Sequence, residues 1–254
     1  GSYFLSLGEV MFDIDHYCRV YDNFLEDSDC DEYIAKFEET IKVDAERHRE
    51  LSVCYREDGS MICGQCDCMR TNPMEYPRFR DLNVRIMDKW MKAVEQYKKD
   101  CGIDKFEYQW PKRYGWEELR IKKFRVDSTK GHGLDLHTDI YSYAHAKRFL
   151  CIMVYLNDDF TDGETFFPLL NTKVQAKKGR LFIFPPSWNY LHQGIPPQPP
   201  SNNGAKYFIM SHLVYVDKEE LVNVGVDFSS RTKVARDHEH EKLELEAAQW
   251  PKKI

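Results

Sequence analysis

The sequence predicts an α+β protein that is mainly β, with a jelly-roll core in the second half of the chain supported by N-terminal helices. Two observations carry this expectation. Up to residue 116, apolar residues recur at helical spacing in two separate stretches; from Glu117 onward they gather into short runs rich in β-branched and aromatic residues, divided by Gly, Asp, Asn and Pro. Eight such runs follow one another, which suits a jelly roll.

The elements can be justified in order. Ser28 with Asp31 three residues on is a capping-box pattern, and Cys30, Tyr33, Ile34, Phe37 and Ile41 then follow at helical spacing, so a first helix is expected over residues 29–41. Residues 44–77 hold no sustained period but contain Cys63-Gly-Gln-Cys66-Asp-Cys68, and read as an irregular insert. A second helix is expected over 79–99, with Leu82, Ile86, Met87, Trp90, Met91, Val94 and Tyr97 on one stripe and Gly102 closing it. Strands are expected at 119–125, 134–140, 148–157, 164–167, 172–175, 180–184, 190–193 and 206–216. Residues 195–204 carry Pro196, Pro197, Pro199 and Pro200 and are expected to loop, since proline gives a sheet ladder no N–H. The charged segment 236–248 reads as a solvated helix in a tail. The chain thus divides into a helical support with an insert (1–116), a β core (117–217) and a tail (218–254), forming one compact unit.

Composition excludes some functions. Lys and Arg number 36 against 42 Asp and Glu, a net charge of −6, which disfavours nucleic acid because its binders neutralise phosphates with a basic surface. The longest apolar run, 149–156, falls far short of the ~20 residues of a membrane-spanning helix, so no membrane partner is expected. The eight cysteines are irregularly spread in a chain too large to need a disulfide framework. They read as mostly free thiols in a reducing compartment, and a cytoplasmic location is expected.

The chemistry centres on His137-Thr-Asp139. Side chains two apart on a strand share a face, so one imidazole and one carboxylate can bind a single ion. His192, on another expected strand, offers a third donor, and two histidines with one carboxylate form the facial set that leaves positions open on non-haem Fe(II). Taken alone, His-x-Asp also occurs as a surface histidine beside an acid.

It does not stand alone. Val20-Tyr-Asp-Asn-Phe-Leu-Glu-Asp-Ser-Asp-Cys30 precedes it, and it is followed by Arg148-Phe-Leu-Cys-Ile-Met-Val-Tyr155-Leu-Asn157, Asp162-Gly-Glu-Thr-Phe-Phe-Pro168, Gly179-Arg-Leu-Phe-Ile-Phe184, His192-Gln-Gly194 and Ala205-Lys206-Tyr-Phe-Ile-Met210. In this order and spacing the chain resembles the prolyl 4-hydroxylase-like branch of the 2-oxoglutarate and Fe(II)-dependent dioxygenases. The resemblance implies a double-stranded β-helix core, iron held at the catalytic centre by His137, Asp139 and His192, and 2-oxoglutarate and O2 as co-substrates, with ascorbate as a candidate reductant. Lys206 stands where the family places the cation for the far carboxylate of 2-oxoglutarate, and Tyr155 where a hydroxyl donates to the same group. Arg148 matches an arginine that faces the peptide substrate. His212 stands six residues after Lys206, where the family often has Trp, and reads as a substrate contact or as a packed core histidine. Phe124 stands where many members have a tyrosine.

The function implied is hydroxylation of a peptidyl proline, with succinate and CO2 as co-products and a peptide or protein as partner. Retention of Asp139 favours hydroxylation over halogenation. The alternatives keep the chemistry but change the substrate to a free amino acid, a lysyl side chain, another small molecule or a nucleobase. A non-catalytic binding module is disfavoured because the three ligands and Lys206 occur together.

Secondary signals have plainer rivals. Cys63, Cys66 and Cys68, with Cys54 and His48, are candidate ligands for a structural zinc but lack a second paired knuckle. His238 and His240 sit two apart on an expected helix and do not share a face. Trp90, Tyr97, Tyr108, Trp110, Tyr114 and Trp116, among basic residues from Lys89 to Lys130, suggest a groove for a peptide or single strand; packing of the helix stripe explains many of them more simply.

Overall fold

The computed structural model describes residues 14–43, 67–70, 76–106, 108–126 and 133–216. Most of the insert, with the candidate zinc ligands His48, Cys54, Cys63 and Cys66, the 127–132 segment and the expected tail helix lie outside the described residues, whereas Cys68 falls on a short strand.

Strand β1 (Arg19–Tyr21) leads into helix α1 (Asp27–Val43); β2 (Asp67–Arg70) precedes helix α2 (Arg80–Asp100). Eleven strands follow: β3 (Tyr114–Trp116), β4 (Arg120–Arg125), β5 (Leu134–His137), β6 (Arg148–Tyr155), β7 (Thr161–Asp162), β8 (Thr165–Phe167), β9 (Thr172–Val174), β10 (Leu181–Phe184), β11 (His192–Gly194), β12 (Pro197–Gln198) and β13 (Ala205–Tyr215).

Helix α1 begins two residues before its expected start, with Asp27 and Asp29 in the first turn, where the helix dipole favours acids. Ser28 therefore lies inside the helix and does not cap it. The predicted stripe buries Cys30, Tyr33 and Phe37. In α2, Leu82, Ile86, Met87, Trp90, Val94 and Tyr97 are buried, but Met91 lies off the stripe and is 38% exposed. The helix closes as expected: Gly102 adopts φ +66°, and the Gly102 and Ile103 amides donate back to the Lys99 and Lys98 carbonyls.

The strands form a large antiparallel sheet in the order β1-β10-β6-β13-β4-β2, with β3 also on β13, a four-stranded sheet β5-β11-β8-β9, and the short pair β12-β7. The central strands β10, β6 and β13 are buried on both faces, which explains why β6 reads as one continuous apolar run. Its Leu150, Ile152 and Val154 join Ile121, Leu181, Ile183, Tyr207, Ile209 and the helices in one core. The alternate residues Cys151, Met153 and Tyr155 join Phe124, Phe182, Phe184 and Phe208 in a second core, which also takes Phe167 and Val174 from the small sheet. Because strand side chains alternate, β13 turns Lys206, Phe208, Met210 and His212 to this second face.

Gly179 joins the parts. Its carbonyl accepts from the Phe24 and Leu25 amides and its own amide donates to Tyr155 O. With φ +73° and the Leu25 carbonyl against the place of a Cβ, only glycine fits.

The structure corrects several expectations. The strand expected over 134–140 stops at His137, so Thr138 and Asp139 leave the ladder, and Thr138 Oγ1 bonds to Ile140 O. The 195–204 loop contains β12, paired with β7 in a two-residue ladder short enough to admit Pro197. Strands β2 and β3 were not marked by the pattern, while β1 falls in the opening motif. Trp90 stacks on Trp116 with centroids 5.4 Å apart, and Trp110 packs edge-on to Tyr114 and Phe149, so much of the aromatic strip is core packing. Cys18, Cys30, Cys101 and Cys151 form no disulfide. Among the described residues no helix is long and apolar enough to cross a membrane.

Candidate active site

Strands β5 and β11 pair antiparallel with His137 opposite His192, which brings two residues 55 positions apart in sequence into one site. Their ring centroids are 4.3 Å apart. In each case the carbonyl two residues upstream fixes the ring: His137 Nδ1 donates to Asp135 O at 2.6 Å and His192 Nδ1 to Tyr190 O at 3.0 Å. A carbonyl can only accept, so Nδ1 holds a proton in both rings and Nε2 is the nitrogen each neutral ring would offer to a metal. His192 is packed between Phe167 and Phe184.

Asp139, just past β5, places Oδ1 3.5 Å from His137 Nε2 and 3.8 Å from His192 Nε2. Donors held at about 2.1 Å from one ion in adjacent octahedral positions lie about 3 Å apart, so small inward movements close the set on a metal. Burial disfavours the Asp139 anion, but His212, His137 and His192 outweigh it and hold the carboxyl well below its usual range. Burial pushes the His192 imidazole down to about 4, against the pull of Asp139, so it is neutral and ready to ligate near pH 7.

From this point a pocket runs between the sheets, lined by the apolar Phe124, Met153, Phe184, Phe208 and Met210 among others, with Lys122, Thr165 and Lys206 as polar features beside the three candidate metal donors. Lys206 is 1% exposed. It donates to Gly163 O at 2.6 Å, lies 5.1 to 5.7 Å from the ring centres of Tyr155, Phe208 and Phe124, and makes no ion pair among the described residues. Gly163 accepts this contact at φ +77°. Burial lowers the Lys206 amine to about 7, with Glu164 acting in the opposite sense. The Tyr155 hydroxyl bonds to Thr165 Oγ1 at 2.7 Å beside Lys206, and burial raises its pKa. Phe124 contributes only a ring, edge-on to Phe208.

Arg148 is 8% exposed. It donates to Glu117 Oε1 at 2.6 Å, to Glu117 Oε2 at 2.9 Å and to Asp139 O at 3.0 Å, so its guanidinium is taken up inside the protein. His212 is 1% exposed and lies against Asp139 and Glu117. Cys151 Sγ lies in the same group, within 4.8 Å of the Asp139 and His212 donors. Burial and Asp139 push its pKa well up, so it remains a thiol. Two polar residues of this neighbourhood carry no sequence signal of their own. Thr165 lies inside the Asp162–Pro168 motif, and Glu117 marks only the start of the β half. The one clue to Glu117 is His212, a buried imidazole that needs partners.

Comparisons with known proteins bear on the fold. No protein-family model matches the chain. A protein of Acanthamoeba polyphaga mimivirus named "Putative prolyl 4-hydroxylase" is 40% identical over 58 residues; the match spans 20% of this chain and only about a quarter (24%) of that relative's length. The viral collagen prolyl hydroxylase of Paramecium bursaria Chlorella virus-1, solved with 2-oxoglutarate, shares 21% identity over 79% of this chain and 97% of its own, at TM-score 0.50. A Trichoplax adhaerens prolyl hydroxylase bound to a hypoxia inducible factor peptide fragment shares 14% over 78% and 84%, at TM-score 0.54. A Pseudomonas putida prolyl-4-hydroxylase shares 14% over 80% and 94%, at TM-score 0.51. The fold is that of these prolyl hydroxylases, in agreement with the resemblance read from the sequence motifs.

Proposed function

We propose that the chain is an Fe(II)- and 2-oxoglutarate-dependent dioxygenase that hydroxylates a C–H bond, with a peptidyl proline as substrate. One observation carries the reading: three metal donors, His137, Asp139 and His192, line a largely apolar pocket together with the buried Lys206, which makes no ion pair among the described residues. In this reading residues 117–217 form a double-stranded β-helix, the preceding helices support it, and the whole acts as one catalytic unit.

His137, Asp139 and His192 would hold the iron, a set suited to Fe(II) with open positions. Lys206 would bind the far carboxylate of 2-oxoglutarate, with the Tyr155 hydroxyl, freed from Thr165, donating to the same group. Iron held there, with 2-oxoglutarate and O2, would supply the oxidising power for a hydroxylation that yields succinate and CO2 as co-products. The protein's part is to orient the co-substrate along the cavity and keep the walls dry with Met153, Phe184, Phe208 and Met210. The substrate roles expected of Arg148 and His212 are not proposed, because their polar atoms are occupied by Glu117 and Asp139. Peptidyl proline is favoured because the neighbours that share the fold are named as prolyl hydroxylases, one of them bound to a peptide.

The test is incubation of iron-loaded protein with 2-oxoglutarate and proline-containing peptides, followed by mass spectrometry. A one-oxygen gain on proline is expected. Succinate formation without oxygen gain on any such peptide overturns the proline assignment and directs the search to free amino acids, lysyl residues or other small molecules.

A further inference from the structure

The two oxygens of Asp139 have different partners. Oδ1 faces His137 and His192, whereas Oδ2 turns away and accepts from His212 Nε2 at 3.0 Å. The other ring nitrogen, His212 Nδ1, faces Glu117 Oε2 at 3.2 Å. With a carboxylate oxygen against each nitrogen, the ring cannot rotate without breaking both contacts.

Glu117 is fixed in turn. Arg148 grips both its oxygens at 2.6 and 2.9 Å, and Arg120 donates to Oε2 at 2.7 Å. The Glu117 amide donates to His212 O at 2.9 Å, and Ser211 Oγ to Glu117 O at 2.6 Å, tying the segment before β4 to β13. Arg148 closes the circuit on Asp139 O.

We propose that Glu117 is a positioning residue of the metal site: acting through His212, it holds Asp139 so that only Oδ1 faces the metal. This rests on the reading of His137, Asp139 and His192 as metal ligands. A carboxylate torsion is intrinsically broad and roughly two-fold. An unanchored Asp139 can swing to chelate with both oxygens and take a position that the co-substrate or O2 needs. The anchor removes that option and spares the metal-binding step the cost of ordering the ligand.

The test titrates Co(II), a spectroscopically visible probe, into full-length wild type, Glu117→Gln, His212→Phe and His212→Gln, with the melting temperature of each metal-free protein measured alongside. Glu117→Gln and His212→Phe are expected to bind Co(II) roughly 10- to 100-fold more weakly and to shift its absorption spectrum. His212→Gln, which keeps a donor for Oδ2, is expected to recover part of the affinity. Affinities within twofold of wild type, with only melting temperatures lowered, overturn the proposal and leave a purely structural role. If Glu117→Gln does not fold, the contrast between His212→Phe and His212→Gln decides. If wild type itself binds no Co(II) or Fe(II), the metal-site reading falls and this inference with it.

Discussion

His137 and His192 face each other across the β5–β11 ladder, and the same local device orients both, an Nδ1–H donated to the carbonyl two residues upstream. The rings therefore meet the metal position with Nε2 already aimed, and the anchored Asp139 completes the set.

His137→Ala or Asp139→Ala is expected to abolish 2-oxoglutarate turnover and metal retention while leaving the fold intact, because neither side chain belongs to a hydrophobic core. Succinate assay and circular dichroism check this. Near wild-type turnover in either variant contradicts the ligand assignment.

Lys206→Met is expected to weaken 2-oxoglutarate binding by roughly 10- to 150-fold, the equivalent of losing charge-assisted hydrogen bonds of about 1.5–3 kcal/mol. Co(II) affinity should not change. Calorimetric titration measures both.

The lowered Lys206 pKa sets a pH dependence. Below about 7 the amine in the empty cavity is already charged, and 2-oxoglutarate binds without proton uptake; above about 7 the amine is neutral and must be protonated for the carboxylate to bind. Affinity is thus expected to fall by up to about tenfold per pH unit above 7, with most of one proton taken up at pH 8. Calorimetry in buffers of different ionisation enthalpy reads the uptake, and Lys206→Met should show none of it.

Gly179→Ala should destabilise the fold by more than about 1 kcal/mol, since it places a Cβ at positive φ against the Leu25 carbonyl. Urea unfolding measures the loss, which should appear without a change in Co(II) affinity.

The helices and most strands are legible because burial leaves a period: the α2 stripe is regular, and the near-continuous apolar run of β6 shows that both its faces are covered. The donor set was legible as a spacing, but its geometry was not. Asp139 reaches the metal position from beyond the strand end, and the His137–His192 pairing depends on a long-range register that no local pattern encodes. Arg148 and His212 stand out in the sequence, whereas their partner Glu117 carries no local signal. An ordinary glutamate before a strand acquires its role only when β4, β6 and β13 are side by side.

The most direct test of the dioxygenase assignment is succinate formation from 2-oxoglutarate by the purified chain, with and without Fe(II), wild type beside His137→Ala. Iron-dependent succinate and CO2 release by wild type, absent in the variant, is the predicted result. No iron retention and no turnover by wild type, with or without proline-containing peptides, would contradict the assignment and leave a binding module that keeps the fold without the chemistry.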